Sequence, residues 1–231
     1  MADKPTLEFD RCDKYMYFAS NMLPDNPTIV EVGSIHGAHG IKLCDRFYRD
    51  HRYALTMIAY EAGKENFATL CQGVSYHFPG SGGNFYRPVI THRAAVTGSD
   101  GEVEFFEFQE ESSNSIYPRH IGEGRHLRRT SKVRSVSLET IMDENNCDRI
   151  DLLFLNCEGG EVGVLKEVLA KPELRAKMGQ LCVSFHGGRI YPQEETVDLV
   201  EQMSEFFWVV EEKNDWPCHL FVNKNLETDR G

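Results

Sequence analysis

The chain has 231 residues, which suits one α/β domain with a sizeable core and leaves little room for a second. Hydrophobic residues make up 41% and charged residues 26%, ordinary for a globular protein, and no apolar run reaches the roughly 18 residues of a membrane span. A net charge of −11 argues against a broad nucleic-acid surface, which would be repelled, while leaving room for a local basic groove.

The opening stretch MADKPTLEFDRCDKYMYF carries early acidic residues and no apolar run, so it does not read as a secretory signal. Seven dispersed cysteines with no CxxC pair read as reduced thiols of a cytoplasmic protein; neither a zinc site nor a disulfide framework is signalled. Asp10 to Met22 reads as a helix, giving a helical extension over residues 1–27 that the PDNP turn stops, because proline cannot continue the backbone ladder. TIVEVG then reads as a short buried strand opening a Rossmann-like domain over residues 28–231. The SIHGAHG turn and the amphipathic run IKLCDRFYRD follow it. A second strand, YALTMIAYE, leads into a helical KENFATLCQ, and glycine-rich HFPGSGGNF reads as an exposed loop.

RPVITHRAAV is expected to be a third strand, and TGSDGEVEFFEF a hairpin turning at SDG. Gln109 to Lys132 reads as polar loop. SLET then starts a helix, with Ser137 as its cap and Thr140 in the first turn. RIDLLFLNC, almost wholly apolar between Asp151 and Asn156, is the clearest buried strand. A helix through EVGVLKEVLAKPEL, the strand GQLCVSFH, a helix through EETVDLVEQMSEF and the strands FWVVEEK and CHLFVNK complete the pattern. Alternating strands and helices predict an α/β fold: a doubly wound, mostly parallel seven-stranded sheet with helices on both faces. The last two strands follow without a helix between them, which places an antiparallel strand near the C-terminus.

Within IVEVGSIHGAHG, Gly33 ends a strand while Gly37 and Gly40 begin a helix, and glycine lets backbone approach a ligand closely. The spacing is not GxGxxG, because Ser34 and Ile35 intervene, so a ligand without a pyrophosphate is favoured. An ordinary strand-to-helix turn is the alternative. Glu61 closes the next strand, where a carboxylate can accept both hydroxyls of a ribose; alone it would be a solvated cap, but with the turn it favours a nucleoside. Ser34, His36 and Ala62 lie in the same two turns and are counted with the ligand-binding set. His36 and His39 have no evident third partner and do not read as a metal pair.

Glu158 and Glu161 flank two glycines just beyond the most apolar strand, where ligand sites of such sheets lie. His186 ends a later strand ahead of two glycines; an imidazole, with its ordinary pKa near 6.5, can take a proton from an acceptor hydroxyl or amine there. A loop histidine satisfied by hydrogen bonds is the alternative. Arg125, Arg128, Arg129, Lys132 and Arg134 could grip an anionic group on an acceptor, or form a solvated loop.

The block VRSVSLETIM…RIDLLFLNCEGGEVGVLKEVL resembles the FkbM family of S-adenosylmethionine-dependent methyltransferases, with its I-D-x-x-K-I-D-x-E-G-x-E segment before a helix. YEAGKENFATL is similar to the family's E-P-x-x-x-N-F segment and AAVTGSDGEVEFF to its A-x-x-x-x-x-G hairpin, so the likeness runs from about Thr28 to Gly188. The resemblance implies S-adenosylmethionine as cofactor. It matches Glu31, Gly33 and Gly37 to the cofactor loop, Glu61 to the ribose acid, and Arg93 and Ala94 to the adenine side. It also implies methyl transfer to an oxygen of a small-molecule acceptor, a sugar or natural product, with His186 as first candidate base, Glu158 as second, and Glu161 beside them.

Three positions depart from the family pattern: Asn156 replaces an aspartate, Phe154 a lysine, and Ser184 the glutamate of an E-x-H arrangement. Asparagine is a far weaker metal ligand and no base, so a divalent metal is not supported and no metal ligand is assigned, while Asn156 is kept with the cofactor-binding residues. These departures keep open an S-adenosylmethionine-binding protein without turnover; a nicotinamide-dependent oxidoreductase is weakened by the missing GxGxxG. Acceptor selection is expected from the loops Phe78 to Tyr86 and Gln109 to Lys132. Nothing in the sequence sets an oligomeric state.

Overall fold

The computed structural model describes residues 5–12, 16–35, 37–49, 55–77, 89–118, 126–211 and 218–226. The chain enters through a β-hairpin, β1 (Phe9–Arg11) paired antiparallel with β2 (Tyr17–Ala19), which replaces the helix expected over Asp10 to Met22. The cause lies far along the chain. Met16, Tyr17, Phe18 and Ala19 are all buried, a run that an extended strand covered on both faces accommodates and a one-sided helix does not. The Gln180 side chain donates to the Ala19 carbonyl at 3.0 Å and accepts the Ala19 N–H at 2.8 Å, so its amide completes the hairpin's backbone pairing.

The apolar runs form the seven-stranded sheet that the pattern predicts. β3 (Thr28–Val32), β4 (Thr56–Tyr60) and β5 (Ile90–His92) spread from the centre to one edge. A three-stranded sheet follows in sequence, made of β6 (Ala95–Val96), β7 (Gly101–Phe108) and β8 (Leu127–Val136). The chain then returns to the centre as β9 (Ile150–Leu155) beside β3, and β10 (Met178–Ser184), β11 (Phe207–Glu211) and β12 (Cys218–Asn223) fill the other half. The order is β11-β12-β10-β9-β3-β4-β5, with β12 antiparallel to both its neighbours and every other pairing parallel. The winding direction therefore reverses between β3 and β9, which opens a crevice at their carboxyl ends.

Alternation along the central strands builds both faces. Val30 and Leu153 join one buried cluster, with residues of α3 (Leu138–Asn145), α4 (Gly160–Ala170) and α6 (Gln193–Ser204). Ile29 and Leu152 join the other, with residues of α1 (Ala38–Arg49), α2 (Lys64–His77) and the entry hairpin. Ser137 caps α3 as expected, accepting the Thr140 N–H at 3.1 Å. Pro172 starts the short helix α5 (Pro172–Ala176) instead of continuing α4. No helix among the described residues is long and apolar enough to cross a membrane.

Three expectations are corrected in the middle of the chain. The predicted third strand is two strands, β5 in the main sheet and β6 in the small one. The expected SDG hairpin does not form, because β6 and β7 both flank β8 and do not pair with each other. The loop expected over Gln109 to Lys132 gives way to strand from Leu127 onward. Its hydrophobic alternation is hidden because charged side chains find partners across the sheet: Arg129 lies opposite Glu107 in the strand register and pairs with it, and Arg134 pairs with Glu144 of α3. His36 and the predicted loop from Phe78 to Tyr86 lie outside the described residues, as do residues 119–125.

Gln180→Ala should leave the buried N–H and C=O of Ala19 without partners and lower the unfolding free energy by about 2–4 kcal/mol in a urea titration. A loss below about 0.5 kcal/mol would show that the hairpin docks without these bonds.

Candidate active site

The site begins with a close approach of two backbones. Gly33 follows β3 with φ +80°, and a Cβ there would collide with the Asn156 carbonyl that follows β9. Glycine alone tolerates both conditions. The ladder runs past the strand ends, with Gly33 N donating to Tyr60 O at 3.0 Å and Asn156 N to Val32 O at 3.1 Å. A cleft of about 270 Å³ opens over these turns. Val32, Gly33 and Tyr60 line it together with the apolar Ala94, Ala95, Phe105 and Ile116 and the polar Asn156, Glu158 and Arg189.

Glu61 sits at the end of β4, lines the cleft and is buried. Its carboxylate accepts the Ile35 N–H at 2.8 Å and the Gly63 N–H at 2.7 Å, so it joins the glycine turn to the turn before α2. Burial pushes the carboxyl up to about 7 despite these amides and the pull of Asn66. Glu31 is also buried but lies beneath the cleft, where one oxygen accepts the Gly40 N–H at 3.2 Å and the other is 3.3 Å from His39 Nδ1. Ser34 and Gly37 shape the turn, with Gly37 N donating to Ser34 O at 2.6 Å, and neither side of that bond lines the cleft. Ala62 and Ala94 do line it, whereas the Arg93 side chain is exposed and does not.

The second half of the site is a chain of ionisable groups. Glu158 follows the strand β9 in a left-handed conformation, φ +52°, a position that non-glycine residues adopt only under constraint. Ser115 supplies one constraint, donating its hydroxyl to the Glu158 carbonyl at 2.6 Å. His186 Nδ1 lies 2.8 Å from Glu161 Oε1, and His186 Nε2 lies 3.2 Å from Glu158 Oε1. The side chain of His186 is 1% exposed and that of Glu158 16%, so Glu158 reaches the cleft and the imidazole stands behind it. Glu161 also accepts the Gly159 N–H at 2.8 Å and the Tyr191 hydroxyl at 3.0 Å. Burial acts to raise the Glu161 carboxyl, but the hydrogen bond to His186, the charge of that ring when it is protonated, and the backbone amides outweigh it and hold it below the ordinary range. Burial and the adjacent Glu161 push the Cys157 thiol well above its ordinary value, so it is no thiolate nucleophile.

The structure brings the candidate residues Glu158, Glu161 and His186 together, in an order that spacing does not disclose. His39, Asn66, Asn114, Phe105 and Arg189 also line the cleft, and Tyr191 supports it from behind. His39, Asn66 and Phe105 lie in motifs quoted above and Asn114 in the expected acceptor loop, although only His39 is named there; Arg189 sits in a stretch without a distinctive pattern. Arg128, Arg129, Lys132 and Arg134 do not line the cleft, and Arg129 is committed to Glu107 and Glu65. Phe154 is buried in the apolar core. Among the described residues no group of three or more His, Cys, Asp or Glu side chains is placed to hold a metal ion.

A parallel sheet reversing at β3 and β9, with one antiparallel strand near its end, defines a doubly wound, Rossmann-like α/β fold. The model of the methyltransferase FkbM domain matches residues 41–207, and the chain belongs to that family. The fold is similar to that of an FkbM methyltransferase from Methylobacillus flagellatus KT, at 15% identity and a TM-score of 0.55 over 89% of this chain and 46% of that one. This chain therefore spans about half the length of that relative. It is also similar to a provisionally assigned rRNA methylase from Clostridium thermocellum, at 9% identity and a TM-score of 0.50 over 88% and 90% of the two chains. No curated protein gives a significant match.

Because the native Glu61 carboxyl holds its proton up to about 7 and the unfolded one only to 4.5, the native state binds more protons between these values. Stability contributed at this site should fall as pH rises through that window, by up to about 3 kcal/mol. Urea titrations should show wild type losing more stability than Glu61→Ala between pH 4 and 8; equal pH slopes would remove the shift.

Proposed function

We propose that the protein transfers a methyl group from S-adenosylmethionine to an oxygen of a small-molecule acceptor, such as a sugar or natural-product hydroxyl. The observation that carries this reading is the buried Glu61 carboxylate in the cleft beside the Gly33 turn. Two carboxylate oxygens suit the paired hydroxyls of a ribose, which would share or replace the amide bonds from Ile35 and Gly63. Ala62, Ala94 and Phe105 offer an apolar surface for a purine, with Asn66 and Asn114 as polar contacts. The cofactor, when bound, supplies a methyl group on a sulfonium, an electrophile that needs alignment more than activation.

The chain's own task is then to take the acceptor's proton. In this reading Glu161, 2.8 Å from Nδ1, holds a neutral His186 ring with its proton on that nitrogen, so that the Nε2 lone pair faces Glu158 at 3.2 Å. With Glu158 ionised, two acceptors face each other at 3.2 Å. A proton arriving on Glu158 from the acceptor hydroxyl converts that repulsion into a hydrogen bond, which is a driving force for general-base catalysis. Glu158 therefore takes the role of first base and His186 that of the group that stabilises it. A cofactor-binding protein without turnover is the competing reading, favoured by Asn156 lining the cleft where the family resemblance places a carboxylate.

Two variants separate these. Glu61→Ala should weaken S-adenosylmethionine binding by roughly 1.5–3 kcal/mol per lost charge-assisted bond in calorimetry, and unchanged affinity would remove the ribose assignment. Glu158→Gln should bind the cofactor normally but lose about 10²–10⁴-fold in transfer of labelled methyl to a panel of hydroxylated metabolites. Wild type that binds the cofactor and methylates nothing in a broad panel would favour binding without turnover.

A further inference from the structure

Tyr191 is tied into the proton chain at two points. Its hydroxyl donates to Glu161 Oε1 at 3.0 Å, the same oxygen that faces His186 Nδ1 at 2.8 Å. The phenol oxygen in turn accepts the backbone N–H of His186 at 3.0 Å. A phenol has one proton to give, and the incoming N–H leaves it pointing at Glu161. The intervening segment folds back to make this possible: Ile190 N donates to His186 O at 3.0 Å and Gly188 N to Tyr191 O at 2.7 Å.

We propose that Tyr191 is a positioning residue that holds the proton of the His186–Glu161 pair on the imidazole. The proposal rests on the role given above to Glu158 and His186. Glu161 is fully buried, and a buried carboxylate left with the imidazole as sole partner on one oxygen competes for its proton. A second donor on Oε1, with the Gly159 N–H on Oε2, spreads the negative charge over fixed dipoles and keeps Glu161 ionised. Burial, followed by the charge of Glu161, drives the Tyr191 phenol far above its ordinary value, so it remains a donor at any working pH. The same bond sets the ring plane, because His186 is gripped by Tyr191 at its backbone and through Glu161 at its ring. Nε2 is thereby aimed at Glu158.

The test needs no acceptor. In full-length protein labelled with ¹⁵N-histidine, the Nδ1 proton of His186 should give a resonance protected from exchange with water. Tyr191→Phe should speed that exchange by about 10-fold, the loss of one charge-assisted bond, while S-adenosylmethionine affinity stays within about 2-fold. Ile190→Val loosens the same loop without touching these bonds and should leave the exchange rate unchanged. An unprotected proton in wild type, an unaltered rate in Tyr191→Phe, or an equal acceleration in Ile190→Val would each overturn the proposal. If Tyr191→Phe fails to fold, 3-fluorotyrosine at position 191 keeps the shape and donates more strongly, and it should shift the His186 Nδ1 resonance; no shift would overturn the proposal. Failure of the methyl-transfer reading would register separately, as absent cofactor binding or absent methyl transfer with the exchange result intact.

Discussion

The site depends on one steric fact: the turns that end β3 and β9 approach until no side chain fits at Gly33. That approach closes the reversal point of the sheet into a rigid corner, with backbone bonds from Gly33 to Tyr60 and from Asn156 to Val32 continuing past the strands. The glycine turn then comes within reach of Glu61, whose carboxylate is satisfied by amides from both sides of the corner. Asn156 is likewise fixed, and with it the start of the Glu158–Gly159 turn. Glu61 and Glu158 thus hang from one anchored backbone.

Burial has opposite consequences in the two halves of the site. Glu61, deprived of water, rises to about 7 even though two backbone amides and Asn66 favour its ionised form. Glu161 is buried as deeply but meets an imidazole and backbone amides, and it falls below the ordinary range. Two carboxylates with the same intrinsic chemistry are set to different tasks by their neighbours. Glu158 completes the set by standing in the cleft, with the imidazole behind it.

Local pattern disclosed most of the central sheet because its strands are buried on both faces and read as apolar runs, RIDLLFL above all. The Ser137 cap was legible for a similar reason, since the cap bond spans three residues. The entry hairpin was not legible: its decisive partner, Gln180, lies 161 residues from Ala19. β8 escaped because ion pairs, not apolar burial, satisfy its alternating charged positions. In the site, residue types were readable and order was not. Glu158, Glu161 and His186 stand out as chemistry, but only the fold shows the histidine behind Glu158 and Tyr191 beneath both. The departures Phe154 and Asn156 also separate once seen in place, one in the core and one at the cleft.

The function turns on the identity of the ligand at the reversal corner. Isothermal titration of the protein with S-adenosylmethionine and, separately, with NADH tests it most directly. The account predicts binding of S-adenosylmethionine and none of NADH, because the Gly33 turn and Glu61 suit a nucleoside and no GxGxxG cradle is present for a pyrophosphate. Binding of NADH without S-adenosylmethionine would contradict it.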